Sequence, residues 1–327
     1  MTALFNLDFW VFVGVVAGIF TVFALGLQLQ FGFTGLLNFG HAAFMAIGAY
    51  TMAILVVKVD MPLWLAMIVA IAAAVTFGLF IGLPTLRLRT DYLAIATIAF
   101  AEIVRFVALN ESQLTGGPQG TINLLGAGRA ASFIAAWRPV ESGIREALEG
   151  ILQTRLSHDM TMLIVVWSVA LVVLVVLRFI TRSPWGRVLR AIREDEDAAA
   201  ALGKPVFRYK LQSLAIGAAV GALAGLLYAF QFSFFAPNDF APLVTFFAYV
   251  IVILGGIGTY WGVPVGAVVF GVIFAGTRFL EIPVLSELSS GERAHVRLIV
   301  IGLILIGLMA FRPQGIFGKR EEMILGR

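Results

Sequence analysis

The chain has 327 residues, of which 60% are hydrophobic and 13% are charged, and its formal net charge is +4 at pH 7. A soluble domain carries roughly 25% charged residues, so this composition excludes an ordinary soluble protein and indicates an integral membrane protein surrounded by lipid. Basic residues beside apolar spans account for the positive charge, and no nucleic-acid partner is expected. The absence of cysteine excludes a disulfide framework and a thiolate site.

Nine apolar runs along the chain are candidate membrane spans. They cover residues 9–30, 41–57, 63–86, 92–109, 160–178, 211–235, 244–254, 263–280 and 297–311. A helix needs roughly 20 apolar residues to cross a bilayer, and backbone groups in lipid must be satisfied within the segment. The sequence therefore predicts an all-α, polytopic transmembrane bundle of eight to ten spans in one domain over residues 1–327. The seventh run is short and ends in glycines, so we expect a broken or re-entrant helix there.

Clusters of lysine and arginine predict how the spans are oriented. Three clusters lie beside apolar runs, at 87–89, 178–210 and 312–327. Short loops rich in these residues stay in the cytoplasm. Counting nine spans then places the N-terminus in the periplasm and the C-terminus in the cytoplasm. Residues 110–159 become a periplasmic loop, and residues 179–210 become a cytoplasmic segment.

The segment 31–50 interrupts the helical pattern inside the membrane. Three glycines stand with Thr34 and Asn38 within ten residues, which would break a membrane helix. Unwound backbone at membrane depth persists only where it is buried in protein or lines a cavity, and such breaks can hold a zwitterion. The segment is therefore either part of a transport pathway or a site of close helix packing through small residues. His41 alone is typical of a structural histidine, and nothing nearby completes a metal site.

Glu102 is a charged residue within the fourth apolar run. It lies thirteen residues beyond Arg89, which is about 20 Å along a helix. A charge at the membrane centre costs on the order of 2.5–3.5 kcal/mol, and Arg105 on the same face can offset part of that. Glu102 is either half of a structural ion pair or a pathway residue that meets a substrate amino group. Thr90 or Asp91 can cap this helix.

The predicted periplasmic loop 110–159 is longer than a simple connection. Residues 114–120 read Leu-Thr-Gly-Gly-Pro-Gln-Gly, which predicts a turn. This is not a phosphate-binding loop, whose spacing occurs nowhere in the chain. Residues 137–155 are compatible with a short amphipathic helix along the surface. The loop is either an unspecific surface connection or a docking surface for an outside partner.

The cytoplasmic segment 179–210 contains a charged amphipathic helix that is predicted over 185–203. Four consecutive acids at 194–197 precede alanines, Gly203 and Pro205, a pattern typical of a glycine C-cap and a proline stop. Anionic lipid would repel the acids, so insertion into a groove of a soluble partner is favoured over a position on the leaflet. Because the chain lacks a phosphate-binding loop, its motor would be a separate polypeptide.

No catalytic constellation is visible in the sequence. Three histidines, no cysteine and no paired carboxylates within the spans leave little for a membrane protease or oxidase. We therefore expect neither an enzyme nor a bound metal or cofactor.

Six segments occur in order over nearly the whole chain and together resemble one family. They are GLLNFGHAAFMAIGAY at 35–50, LRLRTDYLAIAT at 86–97, LTGGPQG at 114–120, GRVLRAIREDEDAAAALG at 186–203 with Lys210-Leu211 after it, LGGIGTYWGVPVGA at 254–267 and FRPQGI at 311–316. These segments are similar to the signatures of the branched-chain amino acid ABC transporter permeases. The chain most resembles the second of the family's two permeases, which has the long outer loop and the Thr-Gly-Gly-Pro segment.

The resemblance implies a permease subunit of an ATP-binding cassette (ABC) importer in the bacterial inner membrane. Such importers join two related permeases with two cytoplasmic ATPase subunits and a periplasmic substrate-binding protein. Expected substrates are branched-chain or other neutral amino acids, and urea or short amides are the alternative. Two further alternatives are an ion-coupled secondary transporter that uses Glu102, which leaves the acidic helix unexplained, and a membrane scaffold, which leaves the broken polar segment unexplained.

The resemblance also implies site residues in two places. The family's coupling segment corresponds to 186–203, and the expected ATPase contacts are Arg190, Glu194, Asp195, Asp197, Ala199 and Gly203. The expected substrate pathway contains Asn38, Gly40, His41, Tyr50, Thr97 and Glu102. Trp261 is bulky for its glycine-rich turn, and its effect on selectivity stays open.

Overall fold

The structure is a computed structural model that describes residues 7–88 and 90–279, together with residues 299, 302–303, 306–307 and 315–317. Its helices are α1 (Leu7–Leu27), α2 (His41–Lys58), α3 (Leu63–Thr85), α4 (Thr90–Asn110), α5 (Ser112–Thr115), α6 (Thr121–Leu152), α7 (His158–Arg182), α8 (Pro184–Glu194), α9 (Glu196–Ala201), α10 (Val206–Phe232), α11 (Pro242–Gly255) and α12 (Gly262–Phe279). These ranges contain no strand, which confirms the all-α class. Arg89, most of the ninth apolar run and nearly all of the basic tail lie outside the described residues.

Six helices of the described chain are long and apolar enough to cross a membrane. They are α1 with its extension to Phe33, α2, α3, α4, α7 and α10. The helices α11 and α12 are apolar but shorter. The seventh predicted run corresponds to α11, which has 14 residues and ends at Gly255 as the sequence suggests. The count of nine spans is not confirmed by these helices.

The helices α1, α2 and α10 form the centre of the bundle. In their most apolar stretches 83%, 72% and 72% of the residues are buried, against 28% for α3 and α4 and 39% for α7. The helices α3, α4 and α7 therefore surround the centre and expose apolar side chains such as Ile68, Ile103 and Val172. On a membrane protein such faces meet lipid or another subunit.

Small residues let the central helices approach closely. Gly217, Gly221 and Gly225 recur every fourth residue on α10, so they share one face. A Cβ at Gly225 would overlap the Met45 carbonyl oxygen, and a Cβ at Gly217 would overlap the Gln30 side chain. On α3 the same spacing brings buried small residues together at Ala66, Ala70, Ala74, Gly78 and Gly82. Backbone contact of this kind replaces the hydrophobic driving force that is missing between helices in lipid.

The predicted break between the first two spans is confirmed. The first helix continues beyond residue 30 as a π-helix, Gln28–Phe33. Residues 35–40 are not helical, and Gly35 takes a φ of 74°. The helix α2 then begins at His41, which contacts Phe23 and so lies inside the bundle.

Two ends of the bundle are named after the predicted orientation. The outer end carries α6, and the inner end carries α8 and α9. At the outer end, α6 has 32 residues, so the expected short helix at 137–155 is wrong in its bounds. Trp137 of α6 is buried and stacks on Phe230 of α10, with ring centroids 4.0 Å apart. Because a single aromatic residue of this kind gives little apolar periodicity, the sequence does not indicate where α6 begins and ends.

At the inner end, the single helix predicted over 185–203 is wrong, because the structure contains two helices. The helices α8 and α9 are separated at Asp195, whose φ of −154° and ψ of 108° are extended. The Asp195 side chain accepts a hydrogen bond from the Ala198 N–H at 2.9 Å and so caps α9. Aspartate favours this cap over a helix interior because its carboxylate satisfies a free N–H group. The predicted end at Gly203 is correct, since its φ is 75°.

Candidate transport pathway and coupling segment

Buried side-chain amides hold the break between α1 and α2. Asn38 Nδ2 donates to Gln30 Oε1 at 2.9 Å, and Asn38 Oδ1 accepts from the Gly40 N–H at 2.9 Å. Gln30 Nε2 in turn donates to the Leu214 carbonyl oxygen of α10 at 3.3 Å. Unwound backbone in a bilayer must be satisfied by protein groups. Asn38 provides such a group here, and Gln30 holds the Asn38 side chain and connects it to α10.

Two threonines from other helices satisfy further backbone groups of the break. Thr97 Oγ1 of α4 accepts from the Phe39 N–H at 3.1 Å, and Thr245 Oγ1 of α11 accepts from the Ala42 N–H at 2.9 Å. Gly40 packs so closely on α4 that a Cβ would overlap the Thr97 carbonyl oxygen. Thr245 was not predicted from the sequence, because a single threonine in an apolar run does not by itself indicate a contact with the break.

His41 is fully buried at the start of α2. Its Nε2 lies 3.1 Å from the Phe23 carbonyl oxygen and therefore carries the proton. Its Nδ1 has no hydrogen-bond partner among the described residues. That part of the chain contains no group of three or more metal-binding side chains. Among the described residues, the hydrogen-bond contact of the His41 ring is therefore to the backbone of α1.

Four of the six predicted pathway residues meet at the break, and two lie elsewhere. Asn38, Gly40, His41 and Thr97 form one buried cluster. Tyr50 lies further toward the outer end, where its ring packs 5.0 Å from that of Phe235 and 5.9 Å from that of Phe240. Its buried hydroxyl has no hydrogen-bond partner among the described residues.

Glu102 forms an ion pair with Arg105 on the surrounding helix α4. Arg105 Nη2 lies 2.7 Å from Glu102 Oε2, and the Glu102 side chain is 34% exposed. Arg105 Nη1 also donates to Asn238 Oδ1 at 2.9 Å, in the 3-10 turn Pro237–Phe240 after α10. The pair therefore connects α4 to the outer end of the central bundle.

A cavity of about 490 Å³ opens beside this turn at the outer end. Aromatic and aliphatic side chains line most of it, including Ile19, Phe20, Phe232, Val244, Phe247 and Phe274. Asn238 and Asp239 form its polar wall. No sequence motif pointed to this turn, because Pro237-Asn-Asp-Phe240 is an ordinary turn sequence.

The glycine-rich segment 114–120 holds the chain that follows α10. Gly120 takes a φ of 61°, and a Cβ there would overlap the Phe235 carbonyl oxygen. The Thr121 N–H donates to that same oxygen at 3.0 Å, and Thr121 Oγ1 accepts from the Phe235 N–H at 3.1 Å. The segment therefore holds in place the connection between α10 and α11, which contains Asn238 and Asp239.

Arg193 of α8 joins the coupling segment to the break. Its Nη1 donates to the Gly32 carbonyl oxygen in the π-helix, and a Cβ at Gly35 would lie 3.2 Å from Arg193 Cγ. On the other side, Lys210 at the start of α10 pairs with Glu196 of α9. The helices α8 and α9 therefore contact both the end of α1 and the start of α10. Sequence reasoning counted Arg193 only as a basic residue.

The predicted ATPase contacts divide into exposed and structural positions. Five of the six positions are exposed at the inner end, and two of these five, Arg190 and Asp195, also make hydrogen bonds within the chain. Ala199 is buried with Ile192, and Asp195 caps α9 as described above. Arg190 Nη2 donates to the Thr181 carbonyl oxygen at 3.3 Å, which ties α8 to α7. Leu202, which sequence reasoning missed, is 79% exposed at the tip of the segment.

The glycine-rich turn between α11 and α12 is also a packing feature. Gln28 Nε2 of the π-helix donates to the carbonyl oxygens of Gly256 and Thr259 at 3.2 and 3.1 Å. The Ile316 N–H donates to the Leu254 carbonyl oxygen at 2.8 Å. Trp261 is half exposed, and the Arg178 guanidinium lies 5.3 Å from the centre of its ring. Trp261 does not line the outer cavity.

Comparison with known proteins agrees with these features. A profile of the family described as "branched-chain amino acid transport system / permease component" matches residues 10–309. The chain is 33% identical over 311 residues to the high-affinity branched-chain amino acid transport system permease protein LivM of Escherichia coli K12, covering 91% of this chain and 67% of that relative. No solved structure matches it.

Two further relatives are more distant. The chain is 24% identical over 342 residues to the probable branched-chain amino acid transport permease protein LivM of Methanocaldococcus jannaschii, covering 93% of this chain and 91% of the relative. It is 25% identical over 328 residues to the permease protein LivH of Escherichia coli K12, covering 95% of each chain. The apolar spans, the broken segment and these matches show that the chain is an integral membrane protein and belongs to the family of permease components of branched-chain amino acid transport systems.

Proposed function

We propose that this chain is one of the two related permease subunits of an ABC importer for branched-chain or other neutral amino acids in the bacterial inner membrane. The observation that carries the proposal is the segment formed by α8 and α9. It presents acids and an apolar tip at the inner end, and it contacts the break between α1 and α2 through Arg193. A permease that a separate ATPase moves needs a surface for the ATPase and a contiguous contact that transmits the motion.

The relatives support a pair of different permeases. LivM and LivH of Escherichia coli K12 are both named as permease proteins of a high-affinity branched-chain amino acid transport system. This chain is 33% identical to LivM and 25% identical to LivH. We therefore place it in the LivM position of the importer, paired with a LivH-like subunit.

The exposed face of α4 is the surface that we assign to the second permease. Glu102 and Arg105 lie within this span, whereas no charged residue lies within the helix α3 or in the middle of α7. Charges inside a membrane face protein or water rather than lipid. The partner would then cover α4, and lipid would cover α3 and α7.

Cross-linking should detect this arrangement, because the chain contains no cysteine and a single one can be introduced. Ile103→Cys on α4 and Val172→Cys on α7 are matched, since both native side chains are 61% exposed. We expect a benzophenone-maleimide attached at position 103 to cross-link the partner permease in the assembled complex, and the same probe at 172 to give none. Cross-linking at 172 alone would place the partner on α7 instead.

Reconstitution tests the function as a whole. The chain would be assembled in liposomes with its LivH-like partner, the two ATPases and the binding protein. We expect leucine uptake that requires ATP and every one of these components. Uptake of urea or a short amide, but not of leucine, would favour the alternative substrate class. Uptake by this chain alone under an ion gradient would instead establish a secondary transporter and contradict the proposal.

A further inference from the structure

The cavity at the outer end combines a mostly aromatic and aliphatic lining, which includes Tyr228, with the side chains of Asn238 and Asp239 at one wall. Its volume of about 490 Å³ lies within the range of roughly 300–1,000 Å³ that small-molecule sites occupy. Ile19, Phe20 and Phe247 contribute to the apolar part. Such a cavity suits a small molecule that is apolar at one end and polar at the other.

Asp239 provides an unshared carboxylate oxygen at this wall. Its Oδ2 accepts from the Ala236 N–H at 2.8 Å, and its Oδ1 accepts no hydrogen bond from the described residues. Burial raises the pKa of the Asp239 carboxyl above its ordinary value, and the Ala236 N–H partly opposes this effect. A carboxylate that has lost water in this way is stabilised by a cation close to it.

Asn238 provides a donor beside this acceptor. Because the Asn238 Oδ1 accepts from Arg105, Nδ2 is the donor end of the amide, and it has no acceptor among the described residues. Glu102 holds Arg105 through Nε and Nη2 at 2.9 and 2.7 Å. The pair Glu102 and Arg105 therefore orients Asn238, and Glu102 acts on the cavity only through Arg105.

We infer that this cavity is a binding site for a zwitterionic amino acid with an apolar side chain. Asp239 holds the α-ammonium group, Asn238 Nδ2 donates to the α-carboxylate, and the apolar lining surrounds the side chain. The inference rests on the proposed function and names the place in this chain where the substrate is held. Glu102 is a positioning residue for this site.

Protection of a cysteine from labelling tests the site directly. Val244→Cys, in the cavity wall, would be labelled with a maleimide in the full importer complex, and Thr154→Cys, at an exposed outer position away from the cavity, would serve as its control. We expect leucine to slow labelling at 244 at least several-fold and to leave position 154 unaffected. The same concentration of 4-methylpentanoate, which lacks the amino group, should protect poorly.

Asp239→Asn then tests the ammonium contact. Asparagine keeps an oxygen for the Ala236 N–H, so the turn is retained, and Asp60→Asn removes one exposed charge as the matched control. We expect the leucine concentration for half protection to rise at least about tenfold with Asp239→Asn and to stay unchanged with Asp60→Asn. Leucine uptake without any protection at 244, or unchanged protection in Asp239→Asn, would overturn the inference and leave the proposed function standing. Protection at 244 without uptake would overturn the proposed function alone.

Discussion

Replacing Leu202 with glutamate should reduce ATP-driven uptake by at least about tenfold while the chain still folds. Leu202 is 79% exposed, and a Cβ added at the adjacent Gly203 would meet no atom within 4 Å. Among the described residues, no atom therefore packs closely on the tip of the coupling segment. Truncating a central apolar residue of an interface costs about 2 kcal/mol or more, and each 1.4 kcal/mol is tenfold in affinity. A buried charge would cost at least as much.

Uptake by proteoliposomes and recovery of the ATPases with the purified permease are the measurements. Leu202→Met is the matched control, because methionine retains an apolar side chain of similar size, and we expect it to keep normal uptake. Thermal stability of the purified chain should be unchanged in both variants. If Leu202→Glu bound the ATPases and supported uptake normally, the ATPase contact would have to lie elsewhere on the inner end.

Replacing Gly225 with alanine should destabilise the bundle by about 1–3 kcal/mol, the usual cost of an added methyl group in a packed core. The new Cβ would overlap the Met45 carbonyl oxygen, and Ala49 N would lie 3.2 Å away. Because these are backbone atoms, α10 can accept the methyl group only by moving away from α2. A lower thermal midpoint of the purified protein in detergent, together with less protein in the membrane, would report this change.

Gly143→Ala is the matched control for this substitution. Gly143 lies in α6, and a Cβ added there would meet no atom of the described residues within 4 Å. Alanine is favoured over glycine in a helix by about 0.5–1 kcal/mol, so we expect an unchanged or slightly higher midpoint. Equal stability of Gly225→Ala and the native chain would contradict the close packing of α10 on α2.

Local patterns predicted the break between α1 and α2 but not the way in which it is stabilised. Glycines together with Thr34 and Asn38 in one apolar stretch weaken a membrane helix, so the local sequence alone predicts a break there. Asn38 satisfies one group of the break locally, but Thr97 and Thr245 come from far along the chain. Thr245, for example, is 203 residues from the N–H group whose hydrogen bond it accepts. No spacing rule links positions so far apart.

The candidate sites were also predicted in part from local sequence and decided in part by the tertiary structure. The acidic run, Gly203 and the family resemblance pointed to the coupling segment, because these signals are contiguous in sequence. The extended backbone at Asp195, the contact of Arg193 with the π-helix and the exposure of Leu202 depend on how α8 packs. Glu102 was identified from its charge alone, and its connection to Asn238 required the fold.

Composition and hydropathy by themselves determined that this is a helical membrane protein, and six ordered segments determined its family. The first property follows from the sequence because the cost of placing a side chain in lipid depends mainly on the side chain itself and its depth, so the hydropathy of each run reports it without the fold. Only the tertiary structure decided which polar residues satisfy the broken backbone and which face a cavity. Asn38 and Asp239 are similar side chains. Packing gives Asn38 two hydrogen bonds inside the bundle, whereas one carboxylate oxygen of Asp239 has no partner among the described residues at the outer end.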